Sequence, residues 1–269
     1  MHSITEAIRR FAEEPSVYLP DPPSPARRIK TQSFVLMLAP SPGMSVASEI
    51  RTADDTLDGT IEQVRALVRD SGYTRSTWLV GPSCTPGKLA SLLRDRGFRP
   101  AAPPLEPMLT AMALVEPPAP PPDGTHAKLV ADYDDFLTTL KIAIDAFDLP
   151  EEAAARVLAV APELWKSRDP LKRFDHLAVV DGEPVGFSHT LVGTTGLVLD
   201  GSGVNAKSRG RGAYRALVAA RWAEAVKLEK PALVVQAGSM SGPILERCGF
   251  ERICDLDVLD DPTFAHDTS

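Results

Sequence analysis

The chain has 269 residues, 43% of them hydrophobic and 24% charged, which suits about two domains of ordinary size and excludes disorder as its main state. Twenty-nine Lys and Arg stand against thirty-six Asp and Glu, a net charge of −7. A chain of that sign has no general attraction for nucleic acid or an anionic membrane, so an anionic ligand must be held by a local device.

The N-terminal residues lack the basic and apolar regions of a secretory signal. The longest uninterrupted apolar run, Phe34 to Ala39, is far too short for a bilayer. Cys84, Cys248 and Cys254 are scattered and odd in number, with no metal-ligand spacing. The expectation is a cytoplasmic protein without a resident metal, a nucleic-acid partner or a membrane partner.

In chain order, prolines from Pro20 to Pro25 precede a strand over Ser45–Ile50, a helix over Leu57–Asp70 and a strand at Trp78–Val80. A helix then ends at Arg94-Asp95-Arg96-Gly97-Phe98. Of the six residues Pro117 to Pro122, only Ala119 is not proline, a run incompatible with helix or central strand. It reads as a linker over 116–124 between domains at 1–115 and 125–269; the alternative is a proline-rich loop inside one domain.

Beyond it come a strand (Ala127–Val130), helices over Asp132–Phe147 and Glu151–Trp165, and a hairpin of Phe174–Val180 and Val185–Val192 around Asp181-Gly182. Gly196–Val204 is a strand, Gly212–Leu228 a helix and Ala232–Gln236 a strand. A short helix reaches Cys248 and a last strand covers Phe250–Leu259.

Leu92-Leu93-Arg94-Asp95-Arg96-Gly97-Phe98 matches Ile244-Leu245-Glu246-Arg247-Cys248-Gly249-Phe250, and helix, strand and helix lead up to each copy in the same order. Two related α/β units follow, each a central mixed sheet flanked by helices.

The richest segment is Val204-Asn205-Ala206-Lys207-Ser208-Arg209-Gly210-Arg211-Gly212-Ala213-Tyr214-Arg215, between a strand and a helix. Glycines let consecutive amides converge, and the helix start adds unpaired N–H groups and partial positive charge. With Lys207, Arg209, Arg211 and Arg215 this makes an anion site suited to phosphate or pyrophosphate. It is neither a Walker loop nor a Gly-x-Gly-x-x-Gly turn. An RNA-contacting tract and a solvated basic turn are the other readings.

Val204, Arg209-Gly210-Arg211-Gly212-Ala213, the long helix, the apolar strand and Cys248-Gly249-Phe250 together resemble the GNAT N-acetyltransferase superfamily, over residues from about 126 to 260. Its pyrophosphate loop reads Gln/Arg-x-x-Gly-x-Gly/Ala. Arg209 and Gly212 match that pattern, and Tyr214 departs from it.

The resemblance implies a tandem GNAT-like architecture with acetyl-CoA or another acyl-CoA as cofactor. Val204 and Ala206 would hold the pantetheine arm, and the amides of Arg209, Gly210, Arg211, Gly212, Ala213 and Tyr214 the pyrophosphate. The implied activity is acyl transfer to a primary amine of a small molecule or peptide by direct attack, in a monomer or homodimer.

The family's leaving-group tyrosine falls at Leu245 and its asparagine at Gly238; Ser239 and Ser241 are nearby hydroxyls, which also suit helix capping. Asp200, read as sharing a face with Val198, Ser202 and Val204, is a general-base candidate or else an ordinary solvated turn aspartate near Gly201; His176 and His189 read first as structural, with His189 the better of the two as a catalytic candidate. Asp145, Asp148, Glu151 and Glu152 around Leu149-Pro150 would favour a cationic acceptor, or simply begin a helix with a wet face.

The first unit has aspartates at 54, 55 and 58 where phosphates would sit. It reads as a degenerate copy that walls the acceptor site. A rival reading keeps the CoA cleft without turnover; a third keeps the fold with other CoA chemistry.

Overall fold

The first half builds helix α1 (Glu6–Glu13), strands β1 (Arg27–Lys30), β2 (Val35–Ala39) and β3 (Met44–Ser48), helix α2 (Leu57–Asp70), strand β4 (Thr77–Val80), helix α3 (Leu89–Asp95), and strands β5 (Arg99–Pro100) and β6 (Met108–Leu114). The second half adds β7 (Thr125–Leu129), α4 (Tyr133–Ala146), α5 (Glu151–Ala159), α6 (Ala161–Lys166), β8 (Arg173–Val180), β9 (Glu183–Val192) and β10 (Leu197–Val204). It closes with α7 (Ala213–Lys227), β11 (Leu233–Ala237), α8 (Gly242–Arg247) and β12 (Glu251–Asp260). The computed structural model describes residues 3–39, 43–103 and 105–264. No helix among them is long and apolar enough to cross a membrane.

Local chemistry sets these elements. Asp181 and Gly182 take φ of 52° and 86°, the geometry of the tight turn whose twist matches a hairpin, and Val180 pairs with Glu183 across it. Asp132 caps α4 by accepting the Asp135 N–H at 2.8 Å. Gly97 and Gly249, at φ of 89° and 97°, end α3 and α8 alike. The Phe98 N–H reaches the Leu93 carbonyl and the Phe250 N–H the Leu245 carbonyl, both at 3.1 Å, the six-to-one closure of a glycine-capped helix. The sequence repeat is therefore a structural repeat, α2–β4–α3 against α7–β11–α8.

The strands form one mixed sheet in the order β1-β2-β3-β4-β12-β6-β11-β10-β9-β8-β7, with β5 beside β12. Pairs β3–β4 and β10–β11 are parallel. Because β6 lies between β11 and β12, and β12 between β6 and β4, the two units share a sheet and exchange their last strands.

Charged groups fasten the exchange. Arg65 on α2 holds the fully buried Asp261 carboxylate with two N–H groups, at 2.7 and 2.8 Å. Thr77 and Arg75 hold Asp260 at 2.7 and 2.8 Å.

One face of the sheet carries α2 and α3 over Trp78 and Leu36, then α7 and α8 over Leu197 and Leu233. The other face carries α1, through Phe11 and Ala12, and α4 to α6 over Leu177 and Phe187.

Several expectations change. The helix read over Glu151–Trp165 is two, α5 and α6, because Pro162 cannot donate to a continuing ladder and begins a new helix instead. The strand read at Ser45–Ile50 ends at Ser48, and α1, β1 and β2 carried no pattern strong enough to read. The run from Pro117 to Pro122 takes neither helix nor strand, and its last ring packs on Gly212.

Candidate functional site

Strands β10 and β11 pair only at Leu197↔Leu233 and Val198↔Val234. Beyond that, β10 has an irregularity between Leu199 and Ser202, with Gly201 at φ 84°, and then pairs again with β9. Strand β11 stays with β6 as far as Ala237. The facing edges part into a V, because the extra residue of a bulge bends one strand out of its ladder. The first half differs. There β3 and β4 pair at Val46↔Thr77 and Ala47↔Trp78, and their continuations are tied again by the Arg51↔Thr85 bridge. The Thr85 N–H donates to the Ile50 carbonyl at 2.9 Å across that gap.

At the open end of β10 the chain turns into α7. The Arg209 side chain donates to the Val204 carbonyl at 3.3 Å, and the Arg209 N–H to the Ala206 carbonyl at 3.4 Å. Gly210 and Gly212 take φ of 78° and 86°, which only glycine adopts without strain. Among the described residues, the amides of Gly210, Arg211, Gly212, Ala213, Tyr214 and Arg215 have no acceptor; the first bonded amide of the helix is that of Ala216, to Gly212 at 3.0 Å. Six consecutive donors at a helix start make an anion cradle. Lys207, Arg209, Arg211 and Arg215 are exposed around it, with Arg211 paired to Asp181.

Tyr214 does not cover this cradle. Its ring is half buried, packed with the apolar clusters under the sheet. The loop is pinned from outside instead. A side chain on Gly212 would collide with Pro122, and Thr125 donates its hydroxyl to the Arg211 carbonyl at 3.2 Å.

The bulge corrects one expectation. Asp200 lies with Val198 on the α1 face, whereas Ser202 bonds Arg221 of α7 and Val204 packs on Ala213 and Leu217, on the opposite face. A strict period of two fails across an inserted residue. Asp200 is exposed.

His189, flanked on β9 by the rungs Thr190↔Leu199 and Ser188↔Ser202, stands opposite the bulge, and a Cβ on Gly201 would sit 3.7 Å from its ring. Its Nδ1 is 2.8 Å from the buried Asp175 carboxylate, leaving Nε2 as the nitrogen without a protein partner among the described residues. Burial pushes the Asp175 carboxyl up, but the hydrogen bond and charge of His189, together with Arg173 and Arg168, outweigh it and hold the pKa below the ordinary value. Arg168 lies 3.6 Å from Asp175 and 4.3 Å over the Trp165 ring, so helix α6 touches the same network.

His176 lies on the α7 face. Burial and the neighbouring Arg221 push its pKa down to about 4, so it is a neutral core group.

Ser239 is exposed on the turn after β11, and its N–H donates to Glu106 of the first half at 2.6 Å. Ser241 begins α8 but makes no side-chain cap; its hydroxyl bonds the Gly238 carbonyl at 3.3 Å. Leu245 is fully buried. Asp145, Asp148, Glu151 and Glu152 are exposed, the last two in the first turn of α5.

Two residues here escaped sequence reasoning. Asp175 left a signal, an acid near the start of the apolar strand Phe174–Val180. Glu106 left none.

No protein-family model matches the chain, and no curated protein matches it. Solved structures do. A GCN5-related N-acetyltransferase from Kribbella flavida is 17% identical, with 94% of this chain and 95% of that one covered at a TM-score of 0.68. A GCN5-related N-acetyltransferase from Sphaerobacter thermophilus is 20% identical, covering 86% and 80% at 0.59. A tandem GNAT protein from the clavulanic acid biosynthesis pathway is 15% identical, covering 90% and 84% at 0.59. The chain has the fold of the GNAT superfamily, and the likeness runs through both halves.

Proposed function

We propose that the chain is an acyl-CoA-dependent N-acetyltransferase acting on the primary amine of a small molecule. The observation that carries this is the row of six unpaired amides, Gly210 to Arg215, at the open end of two parting strands. The donor set fits the group: main-chain N–H groups, a helix N-terminus and exposed basic side chains suit a diphosphate. The gap between β10 and β11 suits an extended arm that bonds to strand backbone.

Bound acyl-CoA supplies an activated thioester and a thiolate leaving group whose ordinary pKa is ~8–9, so departure does not demand a strong acid. The chain's own residues do the rest. The loop and α7 would hold the phosphates through their main-chain N–H groups, and positioning of this kind is worth several kcal/mol.

His189 takes the proton from the incoming ammonium at Nε2, and Asp175 holds the ring through Nδ1 and stabilises its charged form. Asp200, exposed at the same bulge, draws the ammonium in. Ser239 offers a hydroxyl beyond β11, where a proton can be delivered through water.

The test is release of CoA thiol from acetyl-CoA across a panel of primary amines. Release should rise with a suitable amine and fall by ~10²–10⁴ in His189→Gln. A second reading, an acyl-CoA-binding protein with little turnover, is favoured by the buried Leu245 and the bare Gly238. Thiol release that never exceeds the amine-free rate, with CoA still bound, would establish it.

A further inference from the structure

A cavity of about 320 Å³ lies on the α1 face where the two halves meet, at the lower end of the ~300–1,000 Å³ usual for ligand clefts. Its apolar wall comes from Met37, Val46 and Leu79 of the first half and Leu256 of β12. Asp200 and Gln236 also line it, and these residues follow the last paired rungs of β10 and β11. The cavity therefore reaches the mouth of the V on the face that carries His189.

Four carboxylates, Glu13, Glu14, Glu49 and Asp200, line this space. Glu13 is spoken for, since Ser83 donates to both its oxygens at 2.6 and 2.8 Å. Glu14 is only 5% exposed, and its two oxygens differ. Oε1 pairs with Arg51, whereas Oε2 accepts no hydrogen bond and has Arg10 Nε 3.6 Å away.

Glu49 accepts from the Ser16 hydroxyl, and burial, then the charge of Glu14, push its carboxyl pKa up. The Cys254 thiol nearby is pushed up to about 12 by burial and by Glu13, Asp255 and Glu14. Arg10 and Arg51 pair with Glu14, and Arg51, Lys30 and Arg28 act on Glu49, but none of these bases lines the cavity. Its charged lining is the four carboxylates, one of them with a buried oxygen that lacks a hydrogen-bond donor. A cation is the group that satisfies both.

The geometry points to this cavity as the acceptor pocket, taking a primary ammonium carried on an apolar body, with Glu14 and Glu49 as the groups that bind the cation. The inference rests on the transferase reading, and it gives the first half a role in acceptor choice.

The probes are tyramine and its uncharged analogue tyrosol, titrated calorimetrically into the full chain without coenzyme. Tyramine should bind about tenfold or more tighter than tyrosol, the difference an ion-paired hydrogen bond makes. Glu14→Gln and Glu49→Gln should each weaken tyramine about fivefold or more and leave tyrosol unchanged. Because Glu14→Gln also strips Arg51 of its partner, Glu49→Gln with an unaltered melting curve is the decisive variant.

Equal binding of tyramine and tyrosol, no binding of tyramine at millimolar concentration, or wild-type tyramine affinity in folded Glu49→Gln would each overturn the assignment. A separate CoA titration reports on the transferase reading alone. If it fails while tyramine binding still depends on Glu49, that reading falls and the cation site stands.

Discussion

Glu106, in the loop before β6, accepts the Ser239 N–H at 2.6 Å and so reaches from the first half into the turn that ends β11. The space it fills exists because residue 238 is glycine; a Cβ there would collide with the Glu106 carboxylate. A polar group from one half thus stands where a side chain of the other would be.

Gly238→Ala should destabilise the protein, and Glu106→Ala should cost about 1–2 kcal/mol for the lost charged hydrogen bond. The double variant should be more stable than the sum of the two losses implies, because the collision disappears with Glu106. Denaturant unfolding of the four proteins measures the coupling.

The exchanged strand β12 depends on a buried ion pair. Arg65 donates twice to Asp261, which is 1% exposed, and the carboxylate holds the guanidinium in its charged form. Asp261→Asn removes the buried charge and leaves the half-buried Arg65 with Glu62, 2.7 Å away, as its remaining carboxylate, so the loss of two charge-assisted hydrogen bonds costs about 3 kcal/mol. In a chain of this size the thermal midpoint should fall by about 6–12 °C, read by a circular-dichroism melt.

Stability should also fall in mild acid because of His176. Its pKa is pushed down from 6.5 to about 4 by burial and Arg221, so the unfolded chain takes up a proton that the folded chain refuses. The contribution is complete above the unfolded value of 6.5 and is lost as pH drops from 6.5 toward 4. At pH 5 the loss is on the order of 2 kcal/mol, and His176→Gln should flatten the profile across that window. Urea unfolding at a series of pH values gives the slope. The lowered Asp175 titrates below this range and does not confuse it.

What the sequence revealed and what it hid have physical causes. The Asp181-Gly182 turn, the glycine caps at Gly97 and Gly249 and the start of α7 are fixed by neighbours a few residues away, so local chemistry exposes them. The exchange of β6 and β12 is not local. Alternation along a strand says which side chains are buried, never which strand lies alongside. Simple alternation puts Ser202 and Val204 on the face of Asp200, but one added residue at Gly201 reverses every face after it, and a bulge has no reliable signature beyond its glycine. Asp175 was visible as a charge among Phe174, Leu177 and Ala178, but its partner His189 is known only once β8 and β9 are in register. Glu106 sits in an irregular loop with no periodicity to read.

The account turns on main-chain donors at the start of α7. Gly210 has φ 78° and open space around it, so Gly210→Ala carries at least the backbone strain of Gly210→Asp, and the aspartate adds a carboxylate placed at the cradle. Calorimetric titration of CoA should show binding to wild-type protein, weaker but measurable binding to the alanine variant, and loss of about tenfold or more beyond that for the aspartate variant, through charge repulsion in the cradle. Equal CoA affinity in the alanine and aspartate variants, or no CoA binding by the wild-type chain, would contradict it.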